Sequence, residues 1–331
     1  MFIAEGRQAR PNDFLSPSSD SSDAVSETTR KSSCSFCAGR EHETPSPLLE
    51  ISSKKGGWRV RVVPNRFPAV SLTAEEHFHP EGSDGDLRQS ESALGAQEVI
   101  IESPRHVASW LDLSVDQIAT ILRVYRDRVL YWASQERMQH TIVFKNSGLR
   151  GGASLEHVHS QLVALPFVPD MLQAELAGAA KHHESHGQCV YCRMVQEEMA
   201  EGTRLVAQDQ SFVAFCAYAG RQPYETWILP KSHESRFEQL TDGDATSLAE
   251  VFLDLLDCLA QRLSLLAYNL ILHTAPFSSA SQEHYHWHWE LIPQTTRLAG
   301  LEWGAGTYIN PVSPEQAARS LRETRRRGRK D

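Results

Sequence analysis

A duplicated α+β unit, with two antiparallel sheets and packed helices, is the fold class that three observations predict for this chain of 331 residues. C-x-x-C occurs twice, as Cys34-Ser-Phe-Cys37 and Cys189-Val-Tyr-Cys192, each with an aromatic before the second Cys. An H-x-H segment also occurs twice, as His157-Val-His159-Ser-Gln161-Leu162 and His286-Trp-His288-Trp-Glu290-Leu291. Between them, in the same order both times, come a strand-like run ending in His and a long amphipathic stretch, and ordered matches of this kind mark an internal repeat.

Residues 1–33 carry Ser16-Pro-Ser-Ser-Asp-Ser-Ser-Asp23 and little apolar material, so they are expected to form a disordered tail. The first half is placed at 34–169 and the second at 170–331. Trp58–Val63 and Phe67–Leu72 read as strands broken by the turn Pro64-Asn65-Arg66, and a polar loop follows over about 73–96. Glu98-Val-Ile-Ile-Glu102 is a β-branched run. A helix is expected after Leu113-Ser-Val-Asp116, because Ile118, Ile121, Leu122, Tyr125 and Val129 fall on one face. Thr141–Lys145 and His159–Leu165 read as strands around a glycine-rich turn, Gly148–Gly152. In the second half, Glu225–His233 aligns with Glu98–His106, Ala245–Leu263 is the matching helix, and Asn269-Leu-Ile-Leu272 aligns with Thr141-Ile-Val-Phe144.

The balance of 33 Lys and Arg against 42 Asp and Glu gives a formal charge of −9, so a general attraction to nucleic acid or anionic membrane is not expected. An anionic ligand has to be held locally. No run approaches the ~20 apolar residues that span a bilayer, and the first residues lack a signal-peptide core, so a cytoplasmic protein is expected. In a reducing compartment, C-x-x-C spacing means metal or redox chemistry before disulfides.

Each half offers two thiols and two imidazoles: Cys34, Cys37, His106 and His157, then Cys189, Cys192, His233 and His286. Such a set makes a closed tetrahedral zinc shell, which is a structural site. Two zinc ions per chain are expected, against the plainer alternative of buried thiols and core histidines. A zinc ribbon is disfavoured, since its knuckles lie ~15–20 residues apart. Alternate residues of a strand share a face, so His157, His159 and Gln161 point one way, as do His286, His288 and Glu290. Gln161 can donate to a phosphoryl oxygen, whereas Glu290 would repel one. In the first half alone, the approach Asn146-Ser-Gly-Leu-Arg-Gly151-Gly152-Ala-Ser154 offers backbone amides and a hydroxyl to an anion, the alternative being an ordinary hairpin loop. His159 is therefore the candidate nucleophile and His288 its degenerate copy. Neutral imidazole attacks phosphorus without a separate base, and the P–N bond it forms is reactive enough to pass the group on. An amide at 161 cannot titrate to help water in, which favours transfer over hydrolysis.

The motifs Val63-Pro-Asn65-Arg-Phe-Pro-Ala69, Ser103-Pro-Arg-His106, Phe144-Lys-Asn146 and His157-Val-His159-Ser-Gln161 resemble the galactose-1-phosphate uridylyltransferase family of the histidine-triad superfamily. The resemblance runs from about Cys34 to Leu321. It implies two histidine-triad-like halves, a nucleotidylated His159, Gln161 steadying the phosphoryl group, zinc at Cys34, Cys37, His106 and His157, and nucleotide contacts from Asn65, Asn146 and Ser154. A nucleotide sugar and a sugar 1-phosphate are the implied substrates, and a homodimer the implied assembly. The leading expectation is a UDP-glucose:hexose-1-phosphate (galactose-1-phosphate) uridylyltransferase.

Val158 replaces the classical Pro between the histidines, and the second C-x-x-C resembles a branch that includes ADP-glucose phosphorylase, an adenylyl-transferring enzyme that uses phosphate as acceptor. That activity is the alternative. A non-catalytic zinc-stabilised binding protein is the third reading. Glu175, His273, His286 and His288 match the classical second metal set, so Glu175, His273 and His288 stand as the alternative to the Cys189 shell. His182, His183 and His186 read as a solvated linker, Arg325–Lys330 as a frayed basic end, and Leu301–Pro311 resembles the family's sugar-contacting segment, an ordinary core-edge loop being the other reading.

Overall fold

The computed structural model describes residues 34–73, 93–264, 266–277 and 282–328. The expected tail at 1–33 and most of the polar loop lie outside these residues. The described residues contain ten strands: β1 (Leu49–Ser52), β2 (Trp58–Pro64), β3 (Ala96–Ile101), β4 (His140–Ser147), β5 (His159–Leu165), β6 (Leu205–Gln208), β7 (Phe212–Cys216), β8 (Thr226–Pro230), β9 (Tyr268–His273) and β10 (His288–Pro293). They form one sheet in the order β1-β2-β3-β5-β4-β9-β10-β8-β7-β6, antiparallel between all neighbours. Each half thus contributes five strands, and the two expected sheets are joined edge to edge, with Phe144 of β4 opposite Ile271 of β9.

Among the described residues, six α-helices accompany the sheet: α1 (Val115–Ala133), α2 (Asp170–His186), α3 (Val190–Glu201), α4 (Asp242–Arg262), α5 (Gly300–Ala305) and α6 (Pro314–Gly328). The α1 stripe Ile118, Ile121, Leu122, Tyr125 and Val129 is buried as its spacing predicts, and the Ser114 hydroxyl caps the helix by accepting from the Gln117 amide. In α4, Thr241 caps in the same way and Leu248, Val251, Phe252, Leu255 and Leu259 are buried. These helices, with α6, share one core with both halves of the sheet through Val143, Leu162, Ile228, Leu272 and Trp289.

The opposite face is treated unequally. Over the second half, α2 and α3 pack Leu172, Ala179 and Val195 against Val213, Phe215 and Leu229. Over the first half, the described residues form a small cluster of Trp58, Val63, Val99 and Ile101 with Phe36 against it. Three expectations are corrected here. His182, His183 and His186 lie on α2 rather than in a linker. Arg325 lies on α6 and pairs with Asp254 at 2.5 Å, so the basic end is helical through Gly328. Phe67–Leu72 is not a strand, because side chains take its amides: Asn65 Oδ1 accepts from the Phe67 N–H and Gln97 Oε1 from the Ala69 N–H.

Strand register also shifts the alignment of the halves by one residue. With His159 equivalent to His288, the pairs Phe144–Gln161 and Ile271–Glu290 make Asn146 equivalent to His273 and Lys145 to Leu272. The pairs Ile100–Ser160 and Ile228–Trp289 likewise bring Glu98 to Thr226 and Glu102 to Pro230.

Candidate active site and metal shells

In the first half, Cys34, Cys37, His106 and His157 converge, with one ligand atom from each lying within 4.8 Å of all the others. Cys34 Sγ is 3.5 Å from His157 Nδ1, and Cys37 Sγ is 3.5 Å from His106 Nδ1 and 3.6 Å from His157 Nδ1. Zinc bonds of ~2.3 Å to sulfur and ~2.0 Å to nitrogen set a tetrahedral N···S edge of about 3.6 Å, so the set fits the ion. His157 Nε2 donates to the Ser103 carbonyl at 2.8 Å, which directs the Nδ1 lone pair to the shell. Burial pushes His157 down to about 4, keeping it in the neutral, ligating form.

Cys189, Cys192, His233 and His286 form the second shell, with Cys192 Sγ 3.2 Å from His233 Nδ1 and 3.6 Å from His286 Nδ1. Glu175, His273 and His288 make a third, separate group. The two candidate second sets therefore coexist, because His286 is turned to the thiols. His273 Nδ1 lies 3.1 Å from Glu175 Oε1 and its Nε2 lies 3.4 Å from Glu290. Although burial opposes its charge, these carboxylates raise His273 to about 9, and against burial His273 and Arg221 hold Glu290 down at about 2.

His159 opens β5 directly beside the first shell. Its Nδ1–H donates to the His157 carbonyl at 2.8 Å, so Nε2 carries the lone pair. A cavity of about 770 Å³ lies over it, lined by Phe36, Asn65, Phe67, Ser154, His159 and Gln161 among others. The Gln161 amide is oriented by a chain of bonds that the sequence does not reveal. Gln97 Oε1 accepts from Ala69, so Gln97 Nε2 donates to Gln161 Oε1 at 2.7 Å. Asn65 Oδ1 accepts from Phe67, so Asn65 Nδ2 donates to the same oxygen at 3.2 Å. The Gln161 amino group is left as a donor beside His159.

Asn146 is fixed from the second half: Asn269 Nδ2 donates to Asn146 Oδ1 and to the Gly151 carbonyl, both at 2.8 Å, and Gln294 Nε2 donates to Asn269 Oδ1 at 2.7 Å. The glycines between serve the turn. A Cβ on Gly151 would stand 2.8 Å from the Tyr268 carbonyl, and Gly148 has φ of +73°. The amides of Gly151, Gly152 and Ala153 donate within the turn rather than toward the cavity, whose lining includes the polar groups Gln161 and Ser154 but not Asn146. Gln97, Asn269 and Gln294 were missed in the sequence, where no periodicity distinguishes an orienting amide. Trp303 in α5 is 75% exposed and, with the rest of Leu301–Pro311, does not line this cavity.

The matching place in the second half is filled. The His288 ring lies 5.0 Å from Tyr191 of α3, 5.0 Å from Trp227 and 4.6 Å from His273, each near parallel. Burial and His273 push His288 down to about 4. Glu290, opposite Gln161 in the repeat, is paired with Arg221.

Residues 12–169 match the family described as galactose-1-phosphate uridyl transferase, N-terminal domain, and residues 175–324 match its C-terminal domain. An ADP-glucose phosphorylase of Arabidopsis thaliana is 33% identical over 98% of this chain and 89% of its own length. A galactose-1-phosphate uridylyltransferase of Thermotoga maritima is 29% identical over 78% of this chain and 83% of its own. The crystal structure of an Arabidopsis thaliana ADP-glucose phosphorylase with bound ADP-glucose superposes with a TM-score of 0.79, at 32% identity, covering 97% of this chain and 94% of that one. Among the described residues, no helix is long and apolar enough to cross a membrane.

Proposed function

The chain belongs to the galactose-1-phosphate uridyl transferase family, and from that premise we propose that it moves an adenylyl group from an ADP-sugar to phosphate through a covalent intermediate on His159. The observation that carries the covalent step is the His159 tautomer: Nδ1–H is committed to the His157 carbonyl, so Nε2 carries the lone pair, and His159 and Gln161 line the same cavity. Nε2 attacks the α-phosphorus, a P–N bond forms, and the P–O bond to the β-phosphate breaks, releasing a sugar 1-phosphate. An oxygen of the acceptor phosphate then attacks the same phosphorus and the P–N bond breaks, returning neutral His159. Gln161 and Ser154, which line the cavity with His159, donate to the phosphoryl oxygens, whose charge grows in each transition state. Zinc in the Cys34 shell would hold His157, and so the carbonyl that fixes His159. Zinc in the Cys189 shell would tie α3 to the second half.

The sequence favoured a uridylyl group and a sugar 1-phosphate acceptor. The order is reversed because the second C-x-x-C closes a complete shell, and because the likeness to the ADP-glucose phosphorylase extends over more of the chain than that to the Thermotoga uridylyltransferase. Uridylyl transfer to a hexose 1-phosphate remains the second reading, supported by the shared His-x-His-x-Gln arrangement. Pairing into a homodimer is part of the proposal. Purified protein supplied with ADP-glucose or UDP-glucose, each with phosphate or galactose 1-phosphate, tests it. Release of ADP and glucose 1-phosphate from ADP-glucose and phosphate is expected. Turnover of UDP-glucose with galactose 1-phosphate alone would restore the second reading.

A further inference from the structure

The strand that bears the candidate nucleophile separates from its neighbour just where the nucleophile stands. The β4–β5 ladder ends at Phe144–Gln161, two residues short of His159, whereas the β9–β10 ladder continues to His273–His288. The opening makes room beside His159. It also takes the His159 carbonyl out of the ladder, and a buried carbonyl needs another partner.

Lys145 supplies it, donating from Nζ to the His159 carbonyl at 2.9 Å and to Glu102 Oε2 at 2.6 Å. Glu102 also accepts from Trp110 Nε1 and the Tyr125 hydroxyl, both at 2.8 Å, so its carboxylate is fully engaged. Lys145 is 2% exposed and Glu102 not at all. Such a pair is costly to desolvate, and apolar residues of similar volume commonly serve stability as well or better. This fold contains that replacement: the equivalent positions of the second half are Leu272 and Pro230, where the ladder closes through His288. The ion pair accompanies the open strand and the live histidine, and apolar residues accompany the closed strand and the buried one.

We propose that Lys145 and Glu102 are positioning residues, an internal ion pair that replaces the missing ladder bond at His159 and holds its backbone so that Nε2 faces the cavity. The kinetic part rests on the nucleotidyl-transfer reading, and the structural part does not. Two neutral double variants test it, Lys145→Met with Glu102→Gln, and Lys145→Leu with Glu102→Leu, the second copying the apolar character of the other half; whichever folds with wild-type zinc content is used. At saturating nucleotide sugar, labelling of His159 should slow roughly 10- to 100-fold, the cost of a small misplacement, with KM changed less than threefold. Imidazole nitrogen shifts, which need no substrate, should show His159 held as one tautomer in the wild type and averaged between two in the variant. A variant with wild-type labelling rate and wild-type shifts overturns the proposal. If the wild type is never labelled, the transfer reading fails by itself, and the shifts alone decide: unchanged shifts overturn the positioning role.

Discussion

The two halves share a strand skeleton and differ in what lies on one face of it. In both, a C-x-x-C and two histidines close a shell, and the next strand starts two residues beyond a shell histidine. In the first half no helix among the described residues covers that face, and His159 and Gln161 meet a cavity. In the second, α2 and α3 cover it, Tyr191 and Trp227 close on His288, and the positions of Asn146 and Gln161 carry His273 and Glu290, locked with Glu175 and Arg221. A duplicated strand beside a Cys/His shell that could hold a metal is therefore a scaffold, and activity is expected to depend on whether the neighbouring face is neutral and accessible or charged and packed. The second half still serves the first, because Asn269 and Gln294 orient Asn146 across the β4–β9 seam.

The comparison breaks most visibly at the histidines. His159→Ala should lower transfer by at least about 10³-fold with zinc and fold retained, since the nucleophile itself is gone. His288→Ala should keep activity within a fewfold, and equal losses in the two would contradict the division of labour. Copying the second half into the first, Gln161→Glu should cost about 10²-fold in the first half-reaction by replacing a donor with an anion. Gln161→His should shorten the life of the labelled protein by admitting a titratable group beside the phosphorus.

Metal content sharpens the contrast further. Elemental analysis of Cys34→Ser and Cys189→Ser should each show one zinc lost from about two per chain. Labelling should suffer more in the first and melting temperature more in the second, because one shell holds His157 and the other ties down α3. Retention of both ions in Cys189→Ser would point to Glu175, His273 and His288.

The smallest effect is on pH dependence. His273 is raised to about 9 from 6.5, so its contribution is full below 6.5 and is lost as pH rises through 9. Glu290, lowered from 4.5 to about 2, contributes above 4.5 and loses this as pH falls through 2. Calorimetry of wild type should show melting temperature falling between pH 6.5 and 9, with a flatter profile for His273→Gln. An identical slope in both would remove the ion-pair account of that group.

Much of this was legible in the residues. Thiols, imidazoles and the H-x-H-x-Gln run keep their identity and order, and the stripes of α1 and α4 follow from 3.6-residue spacing. The alignment of the halves slipped by one residue because alternation fixes which face a residue takes only once a strand's partner is known. Phe67–Leu72 reads as a strand because its residue types suit one; the Asn65 contact to the Phe67 amide is local, but Gln97, which takes the Ala69 amide, lies 28 residues away. The β4–β9 seam, the cover formed by α2 and α3, and the Lys145–Glu102 pair are long-range choices without a local mark.

The central claim is that one of two homologous histidines carries the nucleotidyl group. Wild-type protein incubated with ADP-glucose or UDP-glucose labelled at the α-phosphorus, without acceptor, should take up close to one label per chain, stable in alkali and lost in acid as protonation makes imidazole a good leaving group. Peptide mapping should place that label on His159 and none on His288. Label on His288, or none with either nucleotide sugar in a folded, zinc-loaded protein, would contradict the account.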